Sequence, residues 1–203
     1  MPEQLSRQSA LAAALTQPGR AGSDGNRALR LGEIRGWNLV QVAAFGSTAA
    51  EMERVVSAAL GVASLPATIG TAGEAGARRI FRTGPSHFWV TAPAADNLAA
   101  RLQEVVPAAM GAVTPLSHSR TRIFIEGEPA REVLARSIPL DFHPAAFVVG
   151  QFALTGIHHT PVLVHRSGEQ RYEVYAMRTF ALSVWEWLAD AALPFGYEVV
   201  AAA

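Results

Sequence analysis

A repeated motif constrains the fold of this chain more than any other feature. Arg82-Thr83-Gly84, with Phe88, Val90 and Ala92 after it, returns 84 residues later as Arg166-Ser167-Gly168, with Tyr172, Val174 and Ala176 after it. Apolar residues at every second position mark a strand with one face buried. A weaker echo at an offset of 81 matches Gly46 and Glu51 with Gly127 and Glu132. Offsets differing by three are what one short loop insertion between related halves would leave. The chain therefore reads as two pseudo-repeats, about 27–107 and 108–203.

The elements between these landmarks recur in the same order. Leu29 and Leu31, then Leu39, Val40, Val42 and Ala44, predict two strands separated by Arg35-Gly36-Trp37. Thr48 and Glu51 have capping-box spacing, and Met52, Val55, Val56, Ala59 and Leu60 form one apolar helical face. Residues 61–77, rich in Gly, Ala and Thr, predict a loop. Strands follow near 78–82 and 87–92, then a helix over 94–106 that Pro107 stops. The second half predicts strands near 112–116 and 120–125, then a helix with Pro129 in its first turn. Strands near 151–157, 162–165 and 172–176 and a last helix from Thr179 to about Ala192 complete it. Two β-β-α-β-β-α halves then pack as one α+β unit, 27–203, with mixed or antiparallel sheets and helices on one face.

Composition removes whole classes of chemistry. All 17 basic residues are arginines, so there is no P-loop lysine, Schiff base or pyridoxal phosphate anchor. Cysteine is absent too, which removes disulfides, thiolate nucleophiles and thiolate metal sites. A chain of 203 residues can bury a core unaided, and no apolar run nears the roughly 18 residues of a membrane span. Seventeen acids balance the arginines, so nothing favours nucleic acid. Charged residues make up 17% of the chain, against about 25% in typical domains. A GC-rich genome accounts for arginine over lysine, and a surface covered by a partner accounts as well for the low charge. Residues 1–26 carry a short apolar run, Ala10 to Leu15, then Pro18, Gly19, Gly22 and Gly25. The run is too short for a secretory signal, so a mobile or docking arm and a cytoplasmic protein are expected.

No catalytic constellation stands out. His158 and His159 are adjacent, so in a strand they would point to opposite faces, and core or interface histidines are favoured over a metal site. Asp141-Phe142-His143-Pro144 pairs a carboxylate with an imidazole, but in a proline-bounded turn, where Asp hydrogen-bonds nearby backbone N–H groups. The serines of Ser117-His118-Ser119 lack nucleophile-elbow glycines. The glycines from Gly70 to Gly76 lack the flanking strand and helix of a dinucleotide fingerprint. Arg120 and Arg122 share a strand face, which suits a phosphate or carboxylate clamp and equally an acid on a partner.

The last helix is the most unusual segment. Ser183, Glu186 and Asp190 are its only polar interior positions, and they fall within about 60° of each other on the helical wheel. Trp185 and Trp187 face opposite ways. A surface helix of a lone small domain has a wider polar face than this. Either the helix runs through the middle of the fold or its outer side docks on another protein, and docking is favoured. The candidate subunit interface is Phe180, Val184, Trp185, Trp187 and Leu188, with Arg120 and Arg122.

The stretch from Gly111 to Tyr197 resembles the gamma subunits of heterotetrameric sarcosine oxidases. The residues that carry this are Thr114 to Arg122, Leu140-Asp141-Phe142-His143-Pro144, Phe152 to Arg166 with its Gly156-Ile157-His158-His159-Thr160, and Thr179 to Trp187. Leu31 to Ala44 and Phe88-Trp89-Val90 are also similar to the family. The resemblance implies a complex with alpha, beta and delta subunits that oxidises sarcosine to glycine, formaldehyde and H₂O₂, or passes the one-carbon unit to tetrahydrofolate. It implies FAD, NAD, FMN, tetrahydrofolate and zinc in those partner subunits, with no catalytic, cofactor or metal residue in this chain. It also implies a fold like the folate-binding domain of glycine-cleavage aminomethyltransferases. Two alternatives stay open: a folate-binding aminomethyltransferase-like module, and a gamma-type subunit of N-methylglutamate dehydrogenase.

Overall fold

The computed structural model describes residues 8–200. In chain order the first half contributes strands β1 (Gly19–Arg20), β2 (Leu29–Ile34) and β3 (Trp37–Ala44), helix α1 (Ala49–Leu60), strands β4 (Ala72–Ala75), β5 (Arg78–Gly84) and β6 (His87–Pro93), and helix α2 (Leu98–Val105). The second contributes β7 (Gly111–Pro115), β8 (Arg120–Glu126), α3 (Ala130–Ser137), β9 (Phe152–Ile157), β10 (Thr160–Gly168), β11 (Arg171–Met177), α4 (Ala181–Ala192) and β12 (Tyr197–Val200). The expected α+β class is the one found.

The strands form a five-stranded antiparallel sheet, β4-β5-β6-β3-β7, and a seven-stranded mixed sheet, β1-β12-β2-β8-β11-β10-β9. Strand alternation explains how they stack. On β6, Phe88, Val90 and Ala92 pack with Met52 and Val56 of α1 and Leu98 and Leu102 of α2, while Trp89 points the other way. On β11, Tyr172, Val174 and Ala176 pack with α3 and α4, while Tyr175 points the other way. Trp37, Leu39, Phe81 and Trp89 of one sheet meet Phe152, Leu163 and Tyr175 of the other in a third core. The layers are helices, sheet, sheet, helices.

The two Arg-Thr/Ser-Gly motifs have similar local geometry. Both copies of the Arg-Thr/Ser-Gly motif form a β-bulge, between Arg82 and Gly84 and between Arg166 and Gly168. Thr83 Oγ1 donates to His87 O at 3.2 Å, and Ser167 Oγ to Arg171 O at 3.4 Å. Arg82 donates to Pro85 O, and Arg166 to Glu169 O. The two sheets also touch at their edges: Thr71 pairs with Gln151, with Ala72 N–H donating to Gly150 O and Phe152 N–H to Gly70 O.

The halves are not separate blocks. The first strand of each repeat crosses to the other sheet, β2 pairing with β8 and β7 with β3. The exchange ties the two halves of the chain together. Other differences from the expected elements lie at sheet edges. The loop expected over 61–77 contains β4, a strand of Ala and Gly on a sheet edge with no apolar alternation to reveal it. Strand β12 adds to β2 in parallel, and β1 adds to β12.

The expected arm divides. Residues 1–7 of it lie outside the described residues. The rest packs on the domain: Leu11 is fully buried in the core of the seven-stranded sheet, and Ala10, Ala14 and Leu15 pack beside it. Arg178 fixes its start by donating to Gln8 O at 2.7 Å.

Candidate functional site: a buried ion cluster and an arginine cleft

Between the sheets, Arg79 of β5, Arg122 of β8, His165 of β10 and Glu173 and Tyr175 of β11 converge. Glu173 falls out of phase with its apolar neighbours Tyr172 and Val174, so its carboxylate points into the space between the sheets and is only 2% exposed. One Arg79 nitrogen donates to both its oxygens, at 2.8 and 2.9 Å. Arg122 donates twice to Oε2, at 3.0 and 2.7 Å, and the Tyr175 hydroxyl donates to the same oxygen at 3.1 Å. Arg122 also lies over the rings of Trp37 and Tyr175, at 5.7 and 5.4 Å.

Burial pushes the Glu173 carboxyl up, but its neighbours outweigh burial and hold it far below the usual carboxylate range. His165 Nδ1, at 3.7 Å, is beyond hydrogen-bond distance and lacks a hydrogen-bond partner, so the arginines are the decisive neighbours. Burial lowers the pKa of His165, favouring a neutral ring, and raises that of the Tyr175 phenol. An ionised carboxylate with both oxygens occupied is a poor proton acceptor. The cluster is suited to clamping the two sheets together rather than to acid–base work.

A second feature opens at the surface nearby. A cleft of about 230 Å³ is lined by the β2–β3 turn, the β7–β8 turn, Arg178 and the start of the arm. Arg120 lies there over the Trp89 ring at 5.2 Å.

The candidate interface residues separate into core and surface. Val184, Trp185 and Leu188 are buried in the domain's own core, with Trp185 only 4% exposed. The wide apolar surface of α4 packs on α3 in the core that also holds Leu11 of the arm, and the arm lines a surface cavity with Trp185 and Ala189. The covering partner of these three residues is thus the same chain. Trp187 is partly buried, with the His158 ring 4.5 Å from its own. Arg122 is engaged by Glu173, which leaves Arg120 and Phe180 facing outward. Phe180 is 45% exposed, as is Leu182 on the outer face of α4.

The remaining motifs lie at turns and strand ends. His158 and His159 form the tip of the β9–β10 hairpin, where His158 has φ of 49°, rather than lying in a strand. Asp141 Oδ1 accepts from His143 N–H at 2.8 Å, a turn contact. Ser117 Oγ accepts from Leu39 N–H at 3.0 Å. Among the described residues, no three His, Asp or Glu side chains are placed to hold a metal ion. Sequence reasoning missed Glu173, although a lone acid inside Tyr172-Glu173-Val174-Tyr175 is a usable signal.

Two facing sheets with outer helices and exchanged first strands define the fold class. The glycine cleavage system aminomethyltransferase T from Bartonella henselae superposes with a TM-score of 0.69 at 17% identity, over 97% of this chain and 60% of that one. Within this class the chain belongs to the sarcosine oxidase gamma subunit family, whose model matches residues 43–193. The sarcosine oxidase subunit gamma of Corynebacterium sp. (strain U-96) is 34% identical over 179 residues, 87% of this chain and 85% of that relative. A chain of the heterotetrameric sarcosine oxidase from Corynebacterium sp. U-96, solved with pyrrole 2-carboxylate, superposes with a TM-score of 0.82 at 30% identity, over 93% of this chain and 96% of that one. These matches do not favour either alternative.

Proposed function

We propose that this chain is the gamma subunit of a heterotetrameric sarcosine oxidase. The complex oxidises sarcosine with O₂ and water to glycine, formaldehyde and H₂O₂, or delivers the one-carbon unit to tetrahydrofolate. The observation that carries this is the end-to-end likeness, in sequence and fold, to a chain of one such oxidase. The ion cluster supports a structural role, since its charged groups are spent on one another. The chemistry, with FAD, NAD, FMN, tetrahydrofolate and zinc, is assigned to alpha, beta and delta partners in the cytoplasm. Phe180, just before α4, and Leu182 in its first turn are the residues assigned to partner contact.

The test is to tag this chain and express it with the neighbouring reading frames. Four co-purifying subunits with sarcosine-dependent O₂ consumption are expected. A complex that oxidises N-methylglutamate instead, or a chain that purifies only alone, would overturn the reading.

A further inference from the structure

The cleft beside the arm holds charge that its own walls do not balance. Three arginines line it, with one acid, Glu33. That acid is already closed off: it is buried and accepts from Arg35 Nε at 2.7 Å and from Ser9 Oγ. Arg120 and Arg178 remain, and neither has a carboxylate within ion-pair distance among the described residues. They are neighbours by construction, since Arg120 pairs with Met177 across β8 and β11 and Arg178 N–H donates to Ser119 O at 2.9 Å.

Their donors are largely unspent. Arg178 gives one hydrogen bond to Gln8 O. Arg120 makes a single long one, 3.4 Å to Ser119 O, although a guanidinium carries five N–H groups. Burial lowers the pKa of Arg120, and no acid opposes the effect. Two adjacent cations, one of them half-buried, are costly without an anion.

We propose that this cleft is a carboxylate-binding site, with the Arg120 fork as its principal donor and Arg178 as the second. Arg120 lies over the Trp89 ring at 5.2 Å, and its guanidinium offers the two parallel N–H donors that a planar carboxylate accepts. The carboxylate has two possible sources with the same chemistry: a small free acid, or an acidic side chain of a partner subunit.

The test is calorimetric titration of the full chain with succinate, in wild type, Arg120→Gln, and Arg131→Gln as an exposed control outside the cleft. Binding to wild type and to Arg131→Gln is expected, with roughly tenfold weaker binding to Arg120→Gln, the loss of one charge-assisted pair. Equal binding to Arg120→Gln, no binding to wild type, or tighter binding of inorganic phosphate than of succinate overturns the proposal. If Arg120→Gln does not fold, Arg120→Lys, which keeps the charge and loses the fork, should bind succinate more weakly, and unchanged affinity overturns the proposal. The assembled oxidase then identifies the source. Retained succinate binding assigns a free acid; binding lost on assembly, with Arg120→Gln shedding partner subunits, assigns a partner's carboxylate.

Discussion

Glu173 of the second half of the chain and Arg79 of the first meet between the sheets, one guanidinium nitrogen lying 2.8 and 2.9 Å from the two carboxylate oxygens. This contact joins β5 of one sheet to β11 of the other. Glu173→Gln would remove the acid that Arg79 and Arg122 share, leaving Arg122 without a carboxylate among the described residues and Arg79 with only Glu74 at 3.8 Å. The expected loss of unfolding free energy is about 3–5 kcal/mol by urea titration. A coupling near zero in an Arg79/Glu173 double-mutant cycle would show that the clamp is not energetic.

Stability should fall in acid in two stages. The pKa of His165 is lowered by burial from 6.5, so the unfolded chain takes up the proton first. Its contribution is complete above about pH 6.5 and is lost as pH falls below that toward the folded value. Glu173 is also depressed, from 4.5, and its contribution is lost as pH falls through the region below about 4.5. Denaturation midpoints measured from pH 7 to 3 should decline in both windows. His165→Phe should flatten the upper one and Glu173→Gln the lower.

These two residues show where sequence reading stopped. Phe88, Val90 and Ala92, like Tyr172, Val174 and Ala176, were legible because helices bury one face of their strands. The intervening Trp89, Glu173 and Tyr175 occupy what alternation alone reads as a solvent face, but a second sheet covers it. Which sheet β2 and β7 join depends on pairing between distant strands, and no local pattern encodes it. The apolar breadth of α4 was legible, while Leu11, buried in the same core, lies about 170 residues earlier in the chain.

The arm should be a stability element. Leu11→Ala removes a fully buried side chain from beneath the arm and is expected to cost about 2–5 kcal/mol. Loosening the arm also uncovers Trp185, so tryptophan emission should shift to longer wavelength before the global transition. Coincident emission and far-ultraviolet dichroism curves would show that the arm melts only with the core.

Gly196 holds the crossing of arm and last strand. Its φ is 67°, and a Cβ there would collide with the Asn26 carbonyl oxygen. No other residue provides both the backbone angle and the space. Gly196→Ala should cost at least about 1–3 kcal/mol and displace β1 from β12. Hydrogen exchange of the Leu29 amide, which donates to Gly196 O at 3.2 Å, reports the displacement directly.

Phe180 and Trp185 should separate interface from core within one helical segment. Trp185 is packed inside the domain, so Trp185→Ala is expected to cost about 3–5 kcal/mol and to lower the yield of every form of the protein. Phe180 is 45% exposed and contributes little to that core. Phe180→Glu should change the stability of the isolated chain by no more than about 0.5 kcal/mol. In the complex, however, it would place an unpaired charge against a partner, and the fraction of tagged chain that brings the other subunits through size exclusion should fall severalfold. Unchanged co-purification in Phe180→Glu and in Leu182→Glu would move the contact surface off this helix.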